Sequence, residues 1–333
     1  MSIPDTHHVI RFHETSESYD VLKYETVPTP TIDEDQILIK NKYAGINFIE
    51  KYFRIGLYPS QLPYTLGREA VGEIVKIGSN VKNYQIGDII GYLSSQTFTQ
   101  YTVINPTINF RILKISENKD SILQQFAGSL VQGLTALTFI EESYKVKKDD
   151  YILVHAAAGG VGLILTQLIS KLGAHVIATA STDEKLNLAK LNGAEFLINS
   201  SNDDIVSKVL EFTNGKGVEA SFDGVGKDTW DISLKSTARK GTIVSFGNAS
   251  GAVPPVTIST LTPKNLKILR PTLFNYLTTL EEWDYYSTKL IKLIESNDLK
   301  IDISKIYELK DYPKAAKDLE TRKTTGKLLL SIP

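Results

Sequence analysis

The segment Tyr151–Gly162, YILVHAAAGGVG, sets an apolar strand directly before a turn of small residues and then an apolar helix beginning near Val161. In the G-x-G-x-x-G pattern of dinucleotide-binding turns, Ala157 takes the first position, Gly159 the second and Gly162 the third, with Gly160 between. Ala158 and Val161 complete the loop. The chemistry this supports is recognition of a pyrophosphate. Gly159 lets backbone approach the anion, Gly162 lets helix and strand pack closely, and the N–H groups at the helix start face the negative charge. Ala157 makes the pattern less specific, and a strand-to-helix turn without ligand is the competing reading. The three βα units that follow favour the ligand.

A second signal is a residue type that is missing. NAD-dependent proteins place Asp or Glu at the end of the second strand, about twenty residues past the glycine loop, to bind the ribose 2′-hydroxyl. Here that position falls on Ala180 and Ser181. Ser181 to Glu184 reads as a capping box for the next helix, with Ser181 as N-cap, Glu184 reaching back and Asp183 as a first-turn acid. No acid is left to repel a 2′-phosphate, so NADPH is the expected cofactor.

These residues need elements to hold them. From Val9 to about Ile104 the chain reads as short apolar runs, such as VIRF, QILIK, GEIVKIG and GDIIGYL, separated by turn residues, so this part is mainly β. After Gly128, runs such as YILVH, HVIATA, EFLIN and GTIVSFG alternate with helical segments such as DDIVSKVLEF. That rhythm predicts an α/β fold with a parallel, doubly wound sheet. Past Pro254 the pattern is mixed, with a helix expected from Glu281 to Ser296 and a closing strand LLLSI. The expected boundaries are 1–130, 131–268 and a return of 269–333 to the first region.

Composition bounds the alternatives. A chain of 333 residues with 42% apolar and 23% charged side chains suits two folded domains. A net charge of −1 offers no bulk attraction to nucleic acid or anionic membranes. The absence of cysteine excludes disulfides, thiolate nucleophiles and cysteine-ligated metals. The opening MSIPDTHHVIRFHE lacks a secretory pattern, which places the protein in the cytoplasm. The apolar stretch from Tyr151 to Ile169 is interrupted by His155, three glycines, Thr166 and Gln167, so no membrane span is expected.

The strings NKYAGINFIEKYFRIGLYP, LGREAVGEIVKIGSNV, HAAAGGVGLILTQL, VSFGNASG and TRKTTGKLLLSIP together resemble the zeta-crystallin type of NADPH:quinone oxidoreductase, in the medium-chain dehydrogenase/reductase superfamily. The resemblance spans nearly the whole chain. It implies a GroES-like, mainly β catalytic domain interrupted by a Rossmann domain, with cofactor and substrate in the cleft between them, and a homodimer. It implies a small quinone as substrate, with a 2-alkenal or enone as the alternative. It also implies an additional role in binding AU-rich RNA, with a nuclear pool beside the cytoplasmic one. No RNA-recognition motif or arginine-rich tract supports that role.

Zinc-dependent relatives carry Gly-His-Glu where this chain has Gly67, Arg68 and Glu69, and arginine does not ligate metal. His7, His8, His13, His155 and His175 show no ligand spacing, and His155 reads as a packed side chain. Without a Lewis acid the acceptor must already be electrophilic, which quinones and conjugated carbonyls are. Carried over residue by residue, Asn47 and Tyr52 lie beside the nicotinamide, where either can donate to the acceptor oxygen. Helix capping by Asn47 and packing by Tyr52 are the structural alternatives. Arg54 and Tyr64 are lesser candidates at the cleft rim, and Arg54 reads rather as a solvated or ion-paired side chain. Phe246, Gly247, Asn248, Arg270 and Pro271 match the nicotinamide-side contacts and Gly224 an adenosine-side position. Gly133 and Thr135 match the segment beside the diphosphate, and Lys185 and Arg322 the cations for the 2′-phosphate. Ser200 stands where the family often has a tyrosine.

Overall fold

The computed structural model describes residues 3–333 and divides into two compact units. The first takes in the chain up to Val131, Thr279–Ser287 and Ile303–Pro333. It is built on a seven-stranded sheet in the spatial order Ile303–Glu308, Lys327–Ser331, Ile37–Ile46, Glu69–Ile77, Ile89–Leu93, Ile112–Lys114, with Tyr101–Ile104 also pairing to Ile37–Ile46. A three-stranded sheet, Lys23–Pro28, Thr6–Phe12, Tyr64–Thr65, completes it. Alternate residues of these strands face one core that includes Ile10, Phe12, Ile39, Ala70, Ile74, Tyr92 and Leu330. The chain enters its core sheet early and closes it late: Ser331 pairs with Tyr43.

The second unit comprises Gln132–Thr278 and Thr288–Asp302. Its six strands are all parallel, in the order Phe196–Asn199, His175–Ala180, Tyr151–Val154, Val218–Asp223, Thr237–Ser245, Lys267–Leu269. Helices Gly160–Lys171, Asp183–Leu191, Ile205–Phe212 and Trp230–Ser236 connect them. Strands covered on both faces become near-continuous apolar runs, as in ILV and HVIATA. The strand order reverses between Tyr151–Val154 and Val218–Asp223, the switch point where such sheets open a binding crevice at their carboxyl ends.

The α/β class and the parallel sheet agree with the sequence reading. The closing helix runs Leu280–Glu295 and the last strand Lys327–Ser331. The expected return at residue 269 is corrected: apart from Thr279–Ser287, the chain stays with the second unit until Asp302. The reason is contact with the helix Gly160–Lys171, whose Gln167 donates to Lys300 O and accepts from Lys300 N–H, both at 3.0 Å.

Candidate active site

The glycine loop sits at the switch point. Ala156 takes a left-handed conformation at φ 50°, and Ala157 N–H donates to Thr179 O at 2.9 Å. Gly159, at φ −78° and ψ 167°, is the N-cap of Gly160–Lys171, and no side chain caps that helix. Its first-turn N–H groups therefore point at the loop without a side-chain acceptor, the arrangement that receives an anion. A Cβ on Gly162 would lie 2.5 Å from Ala156 O and 2.7 Å from Ala157 Cα, so only glycine lets helix and strand meet. A Cβ on Gly159 would meet Ala156 O at 3.2 Å and nothing else within 4 Å, so that side of the loop is open. These residues fit a pyrophosphate.

A buried polar chain supports the loop from below. Asp223 accepts from Val225 N–H, Gly226 N–H, Thr229 Oγ1 and Ser233 Oγ at 2.8–3.0 Å. Because Ser233 donates to Asp223, its oxygen accepts from His155 Nε2 (3.1 Å), which leaves Nδ1 to accept from Thr179 Oγ1 (3.3 Å). Burial holds the His155 pKa below its ordinary value, so the ring is neutral and structural.

At the end of the second strand, Ala180 and Ser181 leave no acid. The capping assignment is corrected: Thr182, not Ser181, is the N-cap and accepts from Lys185 N–H at 3.3 Å. The helix starts one residue later than the pattern suggests, and the Ser181 carbonyl is taken by Ser201 Oγ at 2.9 Å. Glu184 thus falls one position short of the capping box. Asp183 accepts from Asn199 Nδ2 at 2.8 Å, Ser200 N–H donates to Ala180 O, and Lys185 is half-buried on the same turn. Arg322, in the first unit, is exposed at φ 59° after the helix Tyr312–Glu320.

The loops after the fourth and fifth parallel strands interlock. A Cβ on Gly247 would lie 2.2 Å from Gly224 O, and one on Gly224 would meet the Phe246 ring at 2.8 Å. Phe246 stands edge-on to Phe139 at 5.2 Å. Arg270, exposed next to Pro271, ties this corner by donating to Ser245 O (3.0 Å) and Gly247 O (3.1 Å). The Asn248 carboxamide accepts from Arg270 Nη2 at 3.0 Å and donates to Gly247 O at 2.9 Å. Gly133 and Thr135 lie in the helix Asp120–Thr138, both buried.

In the first unit the sequence-selected residues meet a buried charge cluster. Asn47 Nδ2 donates to Glu69 Oε1 (2.8 Å) and Gly45 O (3.2 Å), and Asn47 Oδ1 accepts from Lys327 Nζ (2.8 Å). Lys327 Nζ also donates to Glu69 Oε1 at 2.6 Å, and Glu69 Oε2 accepts the backbone N–H of Val131 at 2.7 Å. Both amide hydrogens of Asn47 are committed inside the protein, which corrects its expected role as donor to an acceptor oxygen. Nor does it cap a helix: Phe48 holds the N-cap position of Ile49–Arg54. Tyr52 is buried on that helix, edge-on to Phe48 and Tyr58.

Arg54 follows its ion-paired reading, but in the core and not at the rim. It is 2% exposed, pairs with Glu320 at 2.7 Å and donates to the carbonyls of Ser16, Glu17 and Ser18. Arg68, at the histidine position of zinc-dependent relatives, donates to Tyr64 Oη at 2.8 Å and lies over the Phe53 ring. Burial pushes the Tyr64 phenol up to about 12. Glu50 accepts Gly67 N–H at 3.1 Å, and burial raises its carboxyl to about 7 despite nearby Arg68. Among the described residues, no three His, Asp or Glu side chains gather as a metal-ligand group. No helix among them is long and apolar enough to cross a membrane.

Sequence reasoning missed Lys327 and the structural use of Glu69. Lys327 carried one signal: it is the only charge in the strand KLLLS.

A parallel Rossmann sheet with an open glycine turn at its switch point, joined to a mainly β unit, defines a two-unit dehydrogenase/reductase. Residues 33–105 match the alcohol dehydrogenase GroES-like domain, and residues 160–295 match the zinc-binding dehydrogenase family. A Schizosaccharomyces pombe protein described as a probable quinone oxidoreductase is 44% identical over 312 residues, covering 93% of each chain. The structure of Escherichia coli quinone oxidoreductase complexed with NADPH superposes with a TM-score of 0.92 at 38% identity, covering 97% of this chain and 99% of that one. A 2-haloacrylate reductase of a Burkholderia species is 31% identical over 93% of this chain and 95% of its own. The chain belongs to the quinone oxidoreductase family, in its zinc-free branch.

Proposed function

We propose that this protein is an NADPH-dependent quinone reductase that reduces a small quinone without a metal. The observation that carries the reading is the glycine loop: an uncapped helix start, open at Gly159, closed to any side chain at Gly162, and followed by Ala180 and Ser181 where an NAD site needs an acid. NADPH, when bound, supplies the hydride. The chain's own work is to hold the pyrophosphate on the N–H groups of Gly160, Val161 and Gly162 and to receive the 2′-phosphate with Lys185 and Arg322. Phe246, Gly247, Asn248, Arg270 and Pro271 form the nicotinamide side, Gly133, Thr135, Ala158 and Gly224 line the remaining cofactor path, and Ser181 and Ser200 flank the 2′-phosphate.

Tyr52 takes the role of donor to the acceptor oxygen. Asn47 acts as a positioning residue at the start of the Tyr52 helix, fixed by Glu69 and Lys327. The acceptor must be electrophilic before it binds, because Arg68 replaces the metal-ligating histidine and the chain has no cysteine.

A conjugated carbonyl compound is the second reading, favoured by the 2-haloacrylate reductase relative. Steady-state rates with a small quinone and a 2-alkenal, side by side, separate the two. The quinone is expected to be the faster substrate, with NADPH preferred over NADH and a chelator without effect. A chelator that abolishes activity, or an alkenal reduced faster than any quinone, overturns the reading. On the family resemblance, the enzyme is further read as a cytoplasmic homodimer, checked by light scattering. AU-rich RNA binding rests on the same resemblance, and a salt-titrated comparison with control RNA tests it.

A further inference from the structure

Gly160 has a neighbour that explains it. A Cβ built there would lie 2.0 Å from Gln132 Oε1, 2.5 Å from its Cδ and 2.6 Å from its Nε2, and these three are its nearest atoms. A side chain at 160 would therefore displace the Gln132 carboxamide, which lies across the head of the helix Gly160–Lys171. Gln132 Oε1 is buried and has no hydrogen-bond partner. A buried acceptor left unpaired is costly, and a native protein keeps one mainly where something else completes it. Its backbone is well anchored, since the preceding residue, Val131, gives its N–H to Glu69.

We propose, resting on the cofactor reading above, that Gln132 is a cofactor-binding residue. Its carboxamide oxygen accepts a hydroxyl donor from the bound dinucleotide, the class of group that flanks the pyrophosphate on both riboses. Gly160 is glycine so that this carboxamide can lie over the loop. The contact is remote from the 2′-phosphate, so it serves NADPH and NADH alike.

The test is fluorescence titration of NADPH and NADH against wild type, Gln132→Leu, Gln132→Glu and Gly160→Ala, and against Gly160→Ala in a Gln132→Ala background. Circular dichroism and thermal melting check that each variant is folded. Gln132→Leu should weaken both coenzymes by about tenfold and equally. Gln132→Glu keeps the shape but sets a negative charge beside the pyrophosphate, and should weaken both by more than tenfold. Gly160→Ala should weaken binding in wild type and have little further effect once Gln132 is alanine. Unchanged affinity in Gln132→Leu, or an equal Gly160→Ala penalty in both backgrounds, overturns the inference. Failure of the wild type to bind either coenzyme overturns the cofactor reading itself.

Discussion

Lys327 and Glu69, 1% and 0% exposed, share a 2.6 Å hydrogen bond, and Asn47 completes the group. Removing one member of such a pair strands the other, at about 3–5 kcal/mol. Lys327→Met is expected to lower stability by about that amount in denaturant unfolding, and Glu69→Gln added to it should recover part of the loss. Glu50 belongs to the same neighbourhood and answers to pH. Its folded carboxyl stands near 7 against 4.5 when unfolded, so between these values the folded state holds the proton that the unfolded state has released. Its contribution to stability therefore falls as pH rises from about 4.5 to 7, by roughly 3 kcal/mol. Relative to wild type, Glu50→Gln should gain stability between pH 5 and pH 8. Taking that difference cancels His7, which is lowered to about 4 by burial and acts in the opposite sense. Lys185 is tested through binding: a charge-assisted bond contributes about 1.5–3 kcal/mol, so Lys185→Ala should weaken NADPH by roughly 10- to 100-fold and hardly alter NADH. Equal losses for both coenzymes would show that Lys185 does not read the 2′-phosphate.

The strand, turn and helix around Gly159 separate two jobs that one glycine-rich string combines. Gly159→Val puts a side chain where its Cβ meets only Ala156 O, at 3.2 Å, so it should weaken cofactor binding with a smaller change in melting temperature than a substitution at Gly162. Gly162→Ala drives a methyl into the backbone of Ala156 and Ala157, which side-chain rotation does not relieve, and should cost about 1–3 kcal/mol of stability. If both variants melt like wild type, the packing role of Gly162 is wrong. This element was legible in the sequence because its strand, turn and helix are contiguous and Gly159 and Gly162 act on near neighbours, whereas the contact of Gly160 with Gln132 was not. The same holds for the missing acid at Ala180 and Ser181. The helix that follows was legible in kind but not in register, since Ser181 and Thr182 are both competent caps and only the backbone chooses. The Asn47–Glu69–Lys327 cluster was not legible. Its partners lie 22, 258 and 280 residues apart, and a lysine seen alone reads as surface. The ion pairing of Arg54 was legible in kind, but its burial and its partner Glu320, 266 residues away, were not.

The molecule as a whole pairs its early strand Ile37–Ile46 with its late strand Lys327–Ser331, with Leu328 opposite Ile46 and Ser331 opposite Tyr43. By contrast, the six parallel strands of the second unit all lie within residues 151–269. In refolding, pulse-labelled hydrogen exchange should find amides of the Tyr151–Val154 and His175–Ala180 strands protected before those of Tyr43–Ile46. Simultaneous protection would show that the two sheets form together. Birth on a ribosome gives this topology a cost in time. At about 5–20 residues per second, the 281 residues from Ile46 to Lys327 take roughly 15–60 s to appear, the count being 327 minus 46. For that interval the Tyr43–Ile46 edge is a nascent sheet margin with no partner, open to any other strand it meets. Overproduction of this protein should therefore depend on holdase chaperones that shield an unfinished chain, and slowing translation should lengthen that dependence.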